Sequence, residues 1–217
     1  MSGRALRGRL SSLLPLGLLV VGVVLPVGSA YATEWQMLSE KNGMLVERRA
    51  HPGSGFYEVR ATTNSALPPA AIFETIWRQR EHPQFVPYLK QLDLLADTGD
   101  EHLSYEQVAV PLARDRDYTV RLRKRVDQEA QRYEVVFAIA NEAGPPPDGS
   151  HVRVAHIRGR WLIEPGRDGT GARVIYEVLS EPGGAIPSWV ANRVQGEAAA
   201  SLVRAILQRT HDRNGHR

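Results

Sequence analysis

Seven histidines, 24 carboxylates and no cysteine are the material from which this 217-residue chain could build a reactive centre. The lack of cysteine excludes disulfides, thiolate metal sites and thiol nucleophiles together. The histidines are scattered. His151 and His156 lie five apart in HVRVAHIRGRWLIEP, which reads as one long strand. An odd spacing on a strand puts them on opposite faces, so no shared metal is expected. His156, Arg158 and Arg160 share a face with Leu162, while Ile157, Trp161 and Ile163 make the better inner face. There is no Gly-x-Ser-x-Gly, no His-Glu-x-x-His, no phosphate loop and no dinucleotide fingerprint. No catalytic residue, metal or cofactor is therefore assigned. Should acid–base chemistry exist, His156, Arg158, Glu106 and Glu177 are the residues that would carry it.

The chemistry that remains is non-covalent. A chamber for one apolar molecule needs a dry wall and one or two polar contacts. Each buried CH₂ then contributes roughly 0.8 kcal/mol. Wall material is present in Trp77, Phe85, Tyr88, Tyr105, Tyr118, Phe137, Trp161, Tyr176 and Trp189. Gly196 and the run Ala198, Ala199, Ala200 are small where a helix filling a concave sheet wants bulk,. The pattern predicts space beneath them, before Leu202, Val203 and Ile206 resume the apolar face. Arg193, Glu197, Arg204 and Gln208 fall in a narrow arc on the helix's other side, a solvated face with an expected Arg193/Glu197 pair.

These residues need elements to position them. GMLVERRA and GFYEVRATT read as two strands around the turn cluster HPGSG,. PPAAIFETIWRQR is a helix with apolar Ile72, Phe73, Ile76 and Trp77 at helical spacing,. About six antiparallel strands follow, from QLDLLAD to ARVIYEVLSEP, and PGGAIP then opens a long terminal helix. In YTVRLRKRV, Tyr118, Val120 and Leu122 share one face, and Thr119, Arg121, Arg123 and Arg125 form a polar outer one,. PLARDRD reads as an internally paired polar loop. Strands closed by one helix imply an α+β fold.

The first 32 residues stand apart. Arg4, Arg7 and Arg9, the apolar run Leu13 to Val27 and the exit Ala30-Tyr31-Ala32 have the form of a signal peptide, with cleavage expected after Ala32,. The alternative is a retained membrane anchor, since the uncharged stretch is long enough to span a bilayer. The expected organisation is residues 1–32 signal peptide, 33–212 a single domain and 213–217 a polar tail. All the excess positive charge belongs to the leader: the rest carries 24 basic and 24 acidic residues. No global charge favours nucleic acid, and none is expected as a partner.

Four stretches carry a family resemblance. VERRAHPGSGFYEVRATT, PPAAIFETIWRQREHPQFVPYLKQLDLL, VPLARDRDYTVRLRKR and SEPGGAIPSWVANR resemble, in order and spacing, the START (steroidogenic-acute-regulatory-related lipid transfer) domains of the helix-grip superfamily. That superfamily includes polyketide cyclases and birch-pollen-allergen-like proteins. The resemblance implies a curved antiparallel sheet gripping the C-terminal helix, with an apolar tunnel between them for a lipid or other hydrophobic molecule. The candidate tunnel wall is Trp77, Tyr105, Tyr118, Phe137, Trp161, Tyr176, Trp189, Ala198, Ala199 and Leu202. The expected gate is Pro111, Leu112, Arg116 and Asp117 with Gly183 and Gly184. The implied protein is an exported, monomeric carrier in the periplasm or outside the cell, making transient membrane contact. The alternative is a cyclase- or hydrolase-type enzyme of the same superfamily.

Overall fold

The computed structural model describes residues 34–110 and 113–215. Three strands open the fold, β1 (Gln36–Lys41), β2 (Met44–Ala50) and β3 (Tyr57–Ser65). Helix α1 (Pro69–Trp77) follows, then a 3₁₀ turn at Gln79–Gln84. Next come β4 (Leu89–Asp97), β5 (Glu101–Val108), β6 (Arg116–Asp127), β7 (Arg132–Ile139), the short β8 (Val152–Arg153), β9 (His156–Pro165) and β10 (Ala172–Glu181). Helix α2 (Ser188–Gly215) ends the description. The strands form one sheet in the order β1-β2-β3-β10-β9-β7-β6-β5-β4, antiparallel throughout, with β8 added in parallel to β6. This is the helix-grip α+β architecture expected from the sequence.

Three elements differ from the expectation. Strand β1 is additional: almost every residue of QMLSEK is exposed, so it carries no buried alternation to read. It is fixed instead by its turn. Asn42 and Gly43 both take positive φ between the paired Lys41 and Met44, the geometry of a two-residue hairpin,. The run containing His151 and His156 is two strands rather than one. It breaks between Arg153 and His156 as β8 leaves to pair with β6. The terminal helix continues to Gly215, past the expected domain end at 212. The expected signal peptide lies outside the described residues. Among the described residues no helix is long and apolar enough to cross a membrane.

The sheet's two faces are chemically distinct. The concave face presents Val59, Ala61, Val120, Leu122, Val135, Trp161, Ile163 and Val174 to Ile72 and Ile76 of α1 and to Ala199, Ala200, Val203 and Ile206 of α2. Removing these side chains from water is the main driving force. The convex face is paved with cross-strand ion pairs. Arg60 meets Glu47 and Glu177, Arg160 meets Glu177 and Glu134, and Arg121 and Arg123 share Glu101. This is the polar outer face read from RLRKR. Most of these arginines keep a quarter or more of their side chain in water, so each pair contributes little and the row chiefly fixes which face is outside,.

Helix α2 is about 42 Å long at 1.5 Å per residue,, and its two ends are held differently. At the C-terminal end Val203 and Ile206 are fully buried, Thr210 Oγ1 lies 2.8 Å from Thr75 Oγ1 of α1, and Arg209 donates to Glu81 at 3.0 Å. At the N-terminal end the chain arrives through Gly183 and Gly184, both at φ +68°. That conformation disfavours any other residue. Of the first turns, Ala191 is buried while Trp189 and Val194 are exposed.

Candidate ligand-binding site

Side-chain alternation decides what faces the space under α2. Register pairs Glu106 with Tyr118, Phe137 with Gly159, Gly159 with Val178 and Ile157 with Ser180, all on the concave face. Deeper positions of the same face (Val120, Leu122, Trp161, Val174) are buried, yet Glu106, Tyr118, Phe137, Ile157 and Val178 are only half-buried. These five point inward and still keep accessible surface. That surface gathers at the end of the concave face where β6 and β9 begin.

The wall is aromatic and apolar with one polar spot. Trp161 and Tyr176 lie with ring centroids 4.4 Å apart, and Phe137 stacks on Tyr176 at 6.0 Å. Gly159 makes this possible: a Cβ there would sit 2.5 Å from the Phe137 ring and 2.1 Å from the Glu177 carbonyl. The polar spot is Glu106. Its Oε2 accepts from the Tyr118 hydroxyl at 2.8 Å, and its Oε1 accepts from Ser104 Oγ at 3.2 Å. Burial pushes the Glu106 carboxyl up despite both bonds. Burial and the neighbouring Glu106 charge hold Tyr118 well above the ordinary phenol range, and Tyr176 is raised by the same two causes. Three groups thus face one another in a poorly solvated space.

The expected wall residues divide. Tyr118, Phe137, Trp161 and Tyr176 come together on the concave face. Leu202 is half-buried against the core, and Ala199 is packed in it. Trp77 lies at the end of α1, with its ring 3.9 Å from that of His102 and Lys124 Nζ at 5.1 Å. Tyr105 does not face the space. It alternates with Ser104 and Glu106, and its hydroxyl donates to Asp117 Oδ2 at 3.0 Å on the other face. Trp189 is 69% exposed and Ala198 is exposed, because α2 turns both away from the sheet. The small middle of α2 also has a different cause from the one expected. A Cβ on Gly196 would come within 3.1 Å of Leu38 and 3.3 Å of Val46. Gly196 lets the helix lie close on β1 and β2, beside a groove of about 720 Å³ that Leu38, Val46, Tyr57, Trp189 and Asn192 also line.

The expected gate divides in the same way. Arg116 is buried and donates from Nε to Pro182 O and from Nη2 to Gly183 O, both at 3.3 Å, and from Nη1 to Arg114 O. It ties the start of β6 to the glycine hinge that launches α2. Asp117 points the opposite way. Arg153 Nε and Nη2 donate to its two carboxylate oxygens at 2.9 and 2.8 Å. Burial works against this charge, but Arg153 and Tyr105 together hold the carboxyl below its usual range. Asp117 therefore anchors β8 and is no part of the mouth. Pro111 and Leu112 lie outside the described residues. Both acids of the loop pair outside it, Asp115 with Lys90 at 2.6 Å and Asp117 with Arg153, and Arg114 reaches Gly149 O, so the bond from Arg116 to Arg114 O is the internal one among the described residues. On α2, Glu197 pairs with Arg204 in place of the expected Arg193.

Sequence reasoning missed Ser104, Gly159, Arg153 and Gln195, whose Nε2 donates to Ser180 O at 2.8 Å and staples α2 to β10. Ser104 was recoverable, since it shares parity with Glu106. Arg158 and Arg160 alternate with the inward Gly159 and Trp161, and Glu177 pairs with Arg160 across the strands, so all three lie on the convex face and Glu106 is the named carboxylate on the concave one. Among the described residues no cluster of three histidines or carboxylates could hold a metal ion.

The model of the START domain matches residues 29–214. The chain belongs to the START family. Its matched range covers the described fold almost end to end, from before β1 to the last turn of α2. Bovine phosphatidylcholine transfer protein is 31% identical over 166 residues, which are 73% of this chain and 75% of that protein. Among solved structures, a STAR-related lipid transfer protein fragment from Xanthomonas axonopodis superposes with a TM-score of 0.74 at 23% identity, covering 82% of this chain and 98% of that one. Human StAR-related lipid transfer protein 5 also gives 0.74, at 13% identity over 83% of this chain and 88% of that one. At these identities the two structures bear on the fold alone. START domains as a family bind and transfer lipids and other hydrophobic ligands.

Proposed function

We propose that this START domain is an exported carrier that holds one lipid in the space between the concave sheet face and the N-terminal half of α2. The supporting observation is the set of inward-facing, half-buried residues Tyr118, Phe137, Ile157 and Val178 around a single polar spot. Such a wall gains stability from each CH₂ it dehydrates and asks for no reaction. The relative named for phosphatidylcholine transfer supports a lipid over other apolar molecules. The mouth is the Arg116–Gly183 contact at the start of β6, and transient membrane contact occurs there. Export rests on the leader, cleaved after Ala32, with delivery to a periplasmic or extracellular space. The test is native mass spectrometry of the delipidated protein after exposure to a whole-cell lipid extract. One bound lipid per chain supports the carrier, and none refutes it. N-terminal sequencing of the native protein tests the leader: Thr33 as first residue supports cleavage and release, and Met1 refutes cleavage in favour of the retained anchor.

A second reading is favoured by one observation. Glu106 and Tyr118 are two titratable groups in hydrogen-bond contact inside the chamber, the arrangement an acid–base enzyme of the superfamily requires. A mass change in the bound molecule on incubation, abolished by Glu106→Gln, would select it over the carrier.

A further inference from the structure

We propose that the groove between β1, β2 and the first turns of α2 is a second ligand site, which takes a single-chain anionic amphiphile of the fatty-acid kind. It goes beyond the carrier reading and does not depend on it. The groove sits at the β1 edge of the sheet, whereas the half-buried residues of the chamber belong to β5, β6, β7, β9 and β10. The two share no residue.

The groove holds about 720 Å³ and is formed without a ligand. Asn192 fixes its end, accepting from Tyr57 N at 3.0 Å and donating to Gly55 O at 3.1 Å. Val46 is buried at its base, while Leu38 and Trp189 line it and remain 40% and 69% exposed. An indole and a leucine left in water along one groove are apolar surface that a hydrocarbon chain would cover.

The charge in the groove is positive. Arg48 and Arg193 both line it, and among the described residues neither has a carboxylate partner. Arg49 and Arg60, on the same two strands, are paired with Glu58 and Glu47. Arg48 differs because it alternates with the buried Met44 and Val46, which turns it toward α2 and away from those acids. Its guanidinium lies 4.5 Å from the Tyr57 ring, and its buried Nε has no hydrogen-bond partner. A buried N–H left unmade is costly, and a carboxylate oxygen satisfies it with a charge-assisted bond in the planar geometry a guanidinium favours. Glu197 is the acid that lines the groove, and Arg204 and Ser201 engage it. Helix α2 also begins at Ser188 in the groove wall, so the positive end of its dipole adds to the two arginines,. An acid head therefore meets Arg48 and Arg193 while its chain runs along Leu38, Val46 and Trp189.

The experiment titrates the protein with dibromostearate below its micellar concentration and follows tryptophan quenching, which bromine causes at close range. The tryptophans are Trp35, Trp77, Trp161 and Trp189, and Trp161 reports the chamber. Wild type should be quenched saturably, and Trp189→Phe should lose most of that quenching. Arg48→Gln removes a charge-assisted pair and should weaken binding about tenfold, and the exposed Arg193→Gln about threefold. Dibromostearyl alcohol, with the same chain and no charge, should bind about tenfold more weakly than the acid. Quenching that persists in Trp189→Phe places the acid in the chamber and overturns the site. Equal binding of acid and alcohol, or affinity unchanged in Arg193→Gln and in a folded Arg48→Gln, also overturns it. So does a wild type that the free acid leaves unquenched while phosphatidylglycerol vesicles sediment it through Trp189, which makes the groove a membrane contact. Should Arg48→Gln fail to fold, the alcohol and Arg193→Gln decide.

Discussion

Acid should loosen the end of the fold that holds α2 in place, and His82 sets the size of the effect. This histidine sits in the 3₁₀ turn after α1, edge-on to Phe85 at 5.5 Å, with its Nε2 3.2 Å from the Thr75 carbonyl. Burial brings its pKa down from 6.5 to about 4, only partly offset by that bond. Between these values the unfolded chain binds a proton that the folded chain refuses. Stability therefore falls as pH drops through this window and levels off below about 4. At pH 5 the linkage comes to about 2 kcal/mol relative to neutral pH. The assay is urea unfolding at pH 7 and pH 5 for wild type and His82→Gln. Gln cannot titrate, so the wild-type loss should exceed the variant's by about 2 kcal/mol. His102, also lowered by burial, and the carboxylates contribute to both proteins and cancel in the comparison. Equal losses would refute the reasoning and place His82 in contact with water. The neighbouring Glu81 holds Arg209 of α2, so this acid-sensitive corner is the fixed end of the helix.

Two further outcomes test the account of the chamber. Gly196→Leu should cost about 1–3 kcal/mol by overpacking against Leu38 and Val46,, and should leave lipid uptake unchanged. Gly196→Ala should stay within about 1 kcal/mol of wild type, the tight contact offsetting its better helix propensity. Loss of uptake in either folded variant would restore the helix middle as a wall of the chamber. Val178→Trp places a large ring beside Phe137 and Gly159 on the half-buried part of the concave face. It should lower bound lipid at least tenfold with thermal stability retained. A protein that unfolds instead has no room there, and one that binds normally keeps its lipid elsewhere.

Much of this architecture was legible from period-two patterning. The face assignment of Tyr118, Val120 and Leu122 against Thr119, Arg121 and Arg123 follows from alternation alone, and so does the inward set Ile157, Trp161 and Ile163. Alternation equally showed that Tyr105 must oppose Glu106, a step that naming Tyr105 as wall overlooked. The failures lie where meaning depends on a distant segment. Gly196 is small because β1 lies against it, and β1 itself left no buried pattern to find. Asp117 looked like part of a polar gate until Arg153, 36 residues on, claimed both its oxygens. Trp189 is an aromatic residue whose direction depends on how α2 leaves the Gly183–Gly184 hinge. Glu106 was visible as an acid but not as an unpaired one, since pairing is a property of three strands brought together.

The central claim is that this chain carries a lipid, and the most direct test is the mass of what it holds. Purified protein, delipidated and then exposed to a whole-cell lipid extract, should show by native mass spectrometry one lipid per chain. Protein that emerges from that extract with its bare polypeptide mass would contradict the account.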